Sequence, residues 1–315
     1  METVAPNLEL LRDLSSFWLD GTSPTPEDLK AAASLAAKMA ELEGIKPFPA
    51  VVQRLVDYVS QPDFKLDLVR QMIESDPSLA IRIMRVANSA AYRTFDSCAT
   101  VTKAVIRIGA VGVVELAMGM SAMTLFKDIG GVGRTIRDHS AGTAAVAREI
   151  ATRLDQSAIS LSSKVFLAGL LHDIGKLLML QTGDIAYAEL AASTPEPHAL
   201  HPLEQARFGF DHAMLGGLML RAWKLPHPIP QIVVGHHQEK AHFGKSGFIS
   251  QAIDIVRVAD QAEWLIERGV NRDSPLVKEL VRSPEGIRLG IPELDVKDLW
   301  NELQLVRDEA LSVFR

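Results

Sequence analysis

The sequence predicts an all-α protein, and three observations carry that reading. Apolar residues recur at three- and four-residue spacing along nearly every segment. Alternating runs bounded by turn residues, the mark of strands, are few. Prolines punctuate the periodic stretches, at positions where the ring opens a helix rather than breaking one.

Residues 1–43 read as an N-terminal helical extension. Thr25-Pro26-Glu27-Asp28 is a helix start, with Thr25 as cap, Pro26 at the first position and Asp28 completing a capping-box variant; the helix runs to about Leu42. Residues 44–129 form a bundle of short helices separated at Pro47, Pro49, Pro62 and Pro77. There Asp76-Pro77 reads as a cap or turn, Asn88-Ser89 as a pair that satisfies buried backbone groups, and Phe48 and Tyr92 as core. Val111 to Phe126 is short for a membrane span and carries Glu115, so it reads as a buried helix filled by Met118, Met120 and Met123.

Gly130, Gly131 and Gly133 disfavour a continuous helix and place a domain boundary. Residues 130–268 follow as a second helical unit. Thr135 to Leu154 is a helix carrying His139, and Lys164 to Leu180 one carrying His172 and Asp173, with Leu167, Leu170, Leu171, Ile174, Leu177 and Leu178 as its buried stripe. Ala192 to Pro202, with three prolines, reads as exposed loop. Glu204 to Trp223, Ile229 to Gln238 and Ser250 to Arg268 are further helices bearing His212, His236 with His237, and Asp260. Residues 269–315 form a C-terminal helical extension, which with the segment before Gly44 suits contact with a second subunit.

Composition narrows the class. The 315 residues are 47% hydrophobic and 23% charged, as in ordinary globular proteins, which excludes a fibrous or disordered chain. A formal net charge of −6 works against broad attraction to nucleic acid or anionic lipid. Cys98 is the single cysteine, so neither an intramolecular disulfide nor a zinc–thiolate cluster can form. With an acidic N-terminus lacking an uninterrupted apolar core, the expected place is the cytoplasm, with no membrane anchor.

Seven groups then stand out in order: His139, His172, Asp173, His212, His236, His237 and Asp260. Imidazoles and carboxylates are the donors that divalent transition metals take, and a hydrolytic pair of ions roughly 3.5–4 Å apart needs about this many. Asp173 has two oxygens with which to bridge; His139, His172 and Asp260 would complete one ion, and His212, His236 and His237 a second. Iron, manganese, zinc and nickel all suit such a set. Two cations would activate water and neutralise a phosphoryl oxygen, making phosphoester hydrolysis the matching reaction. Asp173 and Lys176 are the catalytic candidates, Lys176 as a mobile positive charge for a phosphate. The other four histidines, His198, His201, His227 and His242, lie beside Pro or Phe and read as incidental.

These residues carry a family resemblance. His139, His172-Asp173 and Asp260 match the H…HD…D order of the HD phosphohydrolase superfamily, and His172-Asp-Ile-Gly-Lys176 is the most specific piece. From about Gly44 to Leu265 the chain resembles the HDOD family, the HD-related output domains of bacterial signalling proteins. The motifs are Ile45-Lys-Pro-Phe-Pro49, Ser75-Asp-Pro-Ser-Leu79, Arg85-Val-Ala-Asn-Ser-Ala90, Ala104-Val-Ile-Arg-Ile-Gly109, Phe210-Asp-His-Ala-Met-Leu-Gly216, Trp223-Lys-Leu-Pro226 and His236-His237.

The resemblance implies an N-terminal helical bundle packed against an HD-like bundle, a signalling protein as partner, and a regulatory module; many members have lost ligands that this chain keeps. The ligands are also similar to those of cyclic di-GMP phosphodiesterases of the HD-GYP type. The Gly-Tyr-Pro signature after the His-His pair is absent, and Thr135 stands where an acidic ligand to a third metal would be. Two functions stay open: a metal-dependent phosphohydrolase acting on a nucleotide or cyclic dinucleotide, and a non-catalytic interaction module with a structural or vestigial metal site.

Overall fold

A computed structural model of the protein describes residues 26–45, 48–89, 92, 96–126, 129–155, 159–194, 197–238, 247–292 and 295–314. Of these residues 78% are helical and none lies in a strand, as the periodicity predicts. The helices are α1 (Pro26–Glu41), α2 (Ala50–Val59), α3 (Leu66–Glu74), α4 (Pro77–Asn88), α5 (Val101–Ile108), α6 (Ala110–Thr124), α7 (Gly130–Leu154), α8 (Ile159–Leu171) and α9 (Ile174–Gln181). Then come α10 (Ile185–Ser193), α11 (Pro197–Phe208), α12 (His212–Ala222), α13 (Ile229–Gly235), α14 (Phe248–Glu267), α15 (Pro275–Arg282), α16 (Pro284–Leu289) and α17 (Val296–Phe314).

Local chemistry sets the N-terminal helices. The Asp76 carboxylate accepts from Leu79 N–H at 3.0 Å and Pro77 follows at the first position, so α4 starts there. Thr100 caps α5 in the same way. Asn88 donates to the carbonyls of Met84 and Cys98 and accepts from Cys98 N–H at 2.7 Å, closing the loop after α4. Gly109, at φ +84°, turns the chain from α5 into α6. α6 is buried along most of its length, Met118, Met120 and Met123 included, and packs on α2 and α8. The capping reading of Thr25 lies outside the described residues, as does the side chain of Asp28.

α7 is the central helix, packed against α8, α14 and α17. It begins at Gly130, five residues before the expected start, with Gly131 and Gly133 in its first turn. A Cβ on Gly133 would stand 2.8 Å from Ile129 Cβ, so that glycine makes room for the turn and does not interrupt the helix. One continuous apolar core runs from Ala32 on α1 to Leu311 on α17, across the expected boundary.

Two expected helices and one expected loop differ. Lys164 to Leu180 is two helices broken at His172-Asp173, and Glu204 to Trp223 is broken at 209–211, where Gly209 takes φ +83° and Asp211 caps α12. Ala192 to Pro202 is not all loop: α11 starts at Pro197, contains Pro202 and buries Leu200. No single helix among the described residues is long and apolar enough to cross a membrane; α5 and α6 pass that test only as a pair bent by 102°.

Candidate metal centre

The two helix breaks bring the site together. Gly175, in the first turn of α9, lies so close to α12 that a Cβ would stand 1.9 Å from the His212 carbonyl oxygen. This approach ends α8 at Leu171 and leaves Asp173 at the N-cap position of α9, with His212 opening α12. α7 contributes His139, the end of α13 His236 and His237, and α14 Asp260.

All seven predicted residues meet in one place. Ligand atoms of His139, His172 and Asp173 lie within 4.8 Å of one another, and so do those of His212, His236 and His237. Asp173 Oδ1 lies between the two groups, 3.5 Å from His172 Nε2 and 3.2 Å from His212 Nε2. Asp260 Oδ1 is 2.9 Å from His139 Nε2 and 3.8 Å from His172 Nε2.

Four of the imidazoles share one design. Nδ1 of His172 meets the Gly169 carbonyl at 2.8 Å, Nδ1 of His236 the Val233 carbonyl at 2.6 Å, and Nδ1 of His212 the Glu204 carboxylate at 2.6 Å. Nδ1 of His139 meets Glu263. With each Nδ1 engaged by an acceptor, Nε2 is the ring nitrogen left for a metal ion once the ring is neutral, which is how proteins orient metal-binding histidines.

The donor atoms fit a metal. Nε2 of His172, Nε2 of His236 and Oδ1 of Asp173 are buried and form no hydrogen bond among the described residues. A buried unsatisfied polar atom costs about 1–3 kcal/mol, and metal coordination would satisfy each of these three, two in one ligand group and His236 in the other.

Charge is arranged to match. Burial lowers His172, and drives His236 and His237 well below the ordinary imidazole value, so these three are neutral donors. Burial acts the same way on His139 and His212, but Glu263 and Asp260 hold His139 well above that value, and Glu204 with Asp173 lifts His212 to about 9. Burial opposes ionisation of Asp173, yet His172, Lys176 and His212 hold its carboxyl well below the usual range. Lys176 is not the mobile charge expected: it is buried and donates to Asp173 Oδ2 at 2.7 Å.

Sequence reasoning missed several supporting residues. Glu263 follows Asp260 by three positions on the same helix, a spacing that shares a face. Glu204 opens the stretch that leads to His212 and accepts from both its ring and its backbone N–H. Arg257 donates to the Gly235 and His236 carbonyls at 2.8 and 2.9 Å, fastening the end of α13. His201, read as incidental, stacks on His237 with ring centroids 4.4 Å apart and planes 7° apart. His227 is exposed; His242 and the His198 side chain lie outside the described residues.

Two clefts reach the centre. One of about 420 Å³ opens onto His139, Asp173 and Lys176 and is walled by Ile136, Leu200 and Trp264. The other, about 300 Å³, reaches His236 and His237 past His201 and Arg257.

Known proteins of similar shape and sequence agree with this architecture. Two crystal structures from Shewanella amazonensis SB2B are similar: a candidate phosphohydrolase at TM-score 0.68, 21% identical, covering 89% of this chain and 98% of that one, and a candidate metal-dependent phosphohydrolase at TM-score 0.64, 20% identical, covering 91% and 99%. An HDOD domain protein of unknown function from Geobacter sulfurreducens has TM-score 0.63 and 23% identity, covering 89% and 97%. At these identities the likeness is one of fold. An uncharacterized protein from Treponema pallidum (strain Nichols) is 24% identical over 213 residues, which are 66% of this chain and 40% of that protein, so the chain spans less than half of this relative.

The HDOD domain profile matches residues 45–239, from the first motif on α2's approach to the His-His pair. That is more than half of the sequence, and the chain belongs to the HDOD domain family.

Proposed function

We propose that this HDOD protein holds two divalent transition-metal ions and hydrolyses a phosphoester at them, in a regulatory role. The supporting observation is that both three-residue ligand groups contain buried, unsatisfied donor atoms, His172 Nε2 and Asp173 Oδ1 in one and His236 Nε2 in the other. His139, His172 and Asp260 would hold one ion, and His212, His236 and His237 the other, with Asp173 shared. Such ions supply Lewis-acid chemistry, activating water and offsetting charge on a phosphoryl oxygen.

The chain's own groups then do the rest. Lys176, fixed against Asp173 and facing the larger cleft, sets positive charge beside an incoming phosphate. Ile136, Leu200 and Trp264 give that cleft an apolar wall against which the body of a substrate excludes water. A nucleotide or cyclic dinucleotide is the proposed substrate, and a signalling protein the proposed partner.

Elemental analysis of anaerobically purified protein, with a hydrolysis screen over cyclic dinucleotides and nucleoside phosphates, tests this reading. Two ions per chain and turnover that Asp173→Ala abolishes, with helix content kept, are the expected results. No metal, even after reconstitution, overturns the centre. Full metal occupancy without turnover favours the non-catalytic module.

A further inference from the structure

Two imidazoles of the centre lean on carboxylates, but the carboxylates are secured differently. Glu204, beside His212, also accepts from the neutral Tyr187 hydroxyl at 2.8 Å. Glu263, beside His139, is wholly buried, and its other oxygen accepts from Nε of Arg307 at 3.1 Å. Arg307 belongs to α17, far along the chain from the matched residues 45–239.

A third helix is shaped around this pair. Gly142 lies on α7, three residues after His139. A Cβ there would stand 2.7 Å from Glu263 Cγ, 2.8 Å from Glu263 Oε1 and 3.1 Å from Arg307 Cγ. Ala145, Val306 and Ala310 pack together as a small separate cluster, letting α17 come close to α7. So α7 omits a side chain where α14 and α17 place an acid and a base.

The geometry points to Arg307 as a positioning residue of the metal centre: through Glu263 it fixes the His139 ring, so the C-terminal helix sets the affinity for the ion on the His139 side. This role rests on the metal centre proposed above. An ionised carboxylate in a buried place needs a cation and directed hydrogen bonds to stay there. Arg307 supplies both, and Glu263 can then accept a hydrogen bond from Nδ1–H of His139 and leave Nε2 as the metal donor. Without Arg307 the carboxylate loses its anchor on one side, and the ring loses its fixed orientation.

The test is a Co²⁺ titration of the full-length, metal-stripped chain, followed by calorimetry and visible absorption. In the wild type two ions bind. Arg307→Gln lowers affinity for one ion by about 10–100-fold and leaves the other unchanged, while Arg307→Lys recovers part of the loss. Gly142→Ala, which keeps every charged group, gives the same one-sided loss, and Glu204→Gln weakens the opposite ion. If Arg307→Gln does not fold, by loss of helix content, the Gly142 and lysine variants carry the comparison. Unchanged affinities, or equal weakening of both ions, overturn the role of Arg307. A wild-type chain that takes up no Co²⁺ overturns the metal centre itself and this role with it, and shows before any variant is made.

Discussion

A buried imidazole takes whichever charge its neighbours allow, and in this centre they disagree. His236 and His237 face other imidazoles and stay neutral, whereas His212 faces Glu204 and Asp173 and keeps a proton up to about pH 9. A cation on His212 Nε2 must expel a proton from that ring, since ligands bind deprotonated. Metal loading near neutral pH is therefore expected to release protons, read as a dependence of the calorimetric heat on buffer ionisation enthalpy; no such dependence contradicts the placement of His212. The same shift sets a stability window for the metal-free protein. A folded pKa raised above the ordinary 6.5 contributes stability that is complete below 6.5 and is lost as pH climbs through about 9. Melting temperature of the stripped protein should fall across that window, and His212→Asn should flatten the fall.

Where two helices touch backbone to backbone, the positions of their side chains are fixed by what is missing. Gly175 and Gly216 meet in this way: a Cβ on Gly216 would stand 3.1 Å from Gly175 N, and one on Gly175 would collide with the His212 carbonyl. Gly175→Ala should cost about 3 kcal/mol or more, at the upper end of overpacking, and should weaken metal uptake, since Asp173 and His212 separate with their helices. Chemical denaturation and metal analysis of one sample check both effects. Removing the Asp211 cap of α12 is milder: Asp211→Ala should cost about 1 kcal/mol, by the same denaturation measurement.

These contacts explain what the sequence could and could not show. The stripe from Leu167 to Leu178 continues at helical spacing across His172-Asp173, so periodicity registers the buried face but not the bend in the axis. All seven ligand candidates were legible, because donor types in a fixed order need no knowledge of the bend. Glu263, Glu204 and His201 were not, because their meaning depends on a partner from another helix: Arg307, Tyr187 and His237.

Among the described residues one apolar core runs through both of the expected subdomains, 44–129 and 130–268. Trp300 on α17 is almost fully buried and its indole N–H donates to the Val270 carbonyl at 3.1 Å; Leu35 lies in the same core near the other end of the chain. Trp300→Ala should cost about 3–5 kcal/mol and Leu35→Ala about 2–5. Both should lower the same calorimetric transition, and two transitions moving independently would show that the proposed units unfold separately.

The two clefts that reach the centre have a consequence for traffic. If the larger one, past Trp264, admits a substrate, the narrower one beside His201 stays open to small solutes while that substrate is seated. Ion exchange and turnover then have separate doors, and the supply of metal outside the protein can tune its output even when the substrate is saturating.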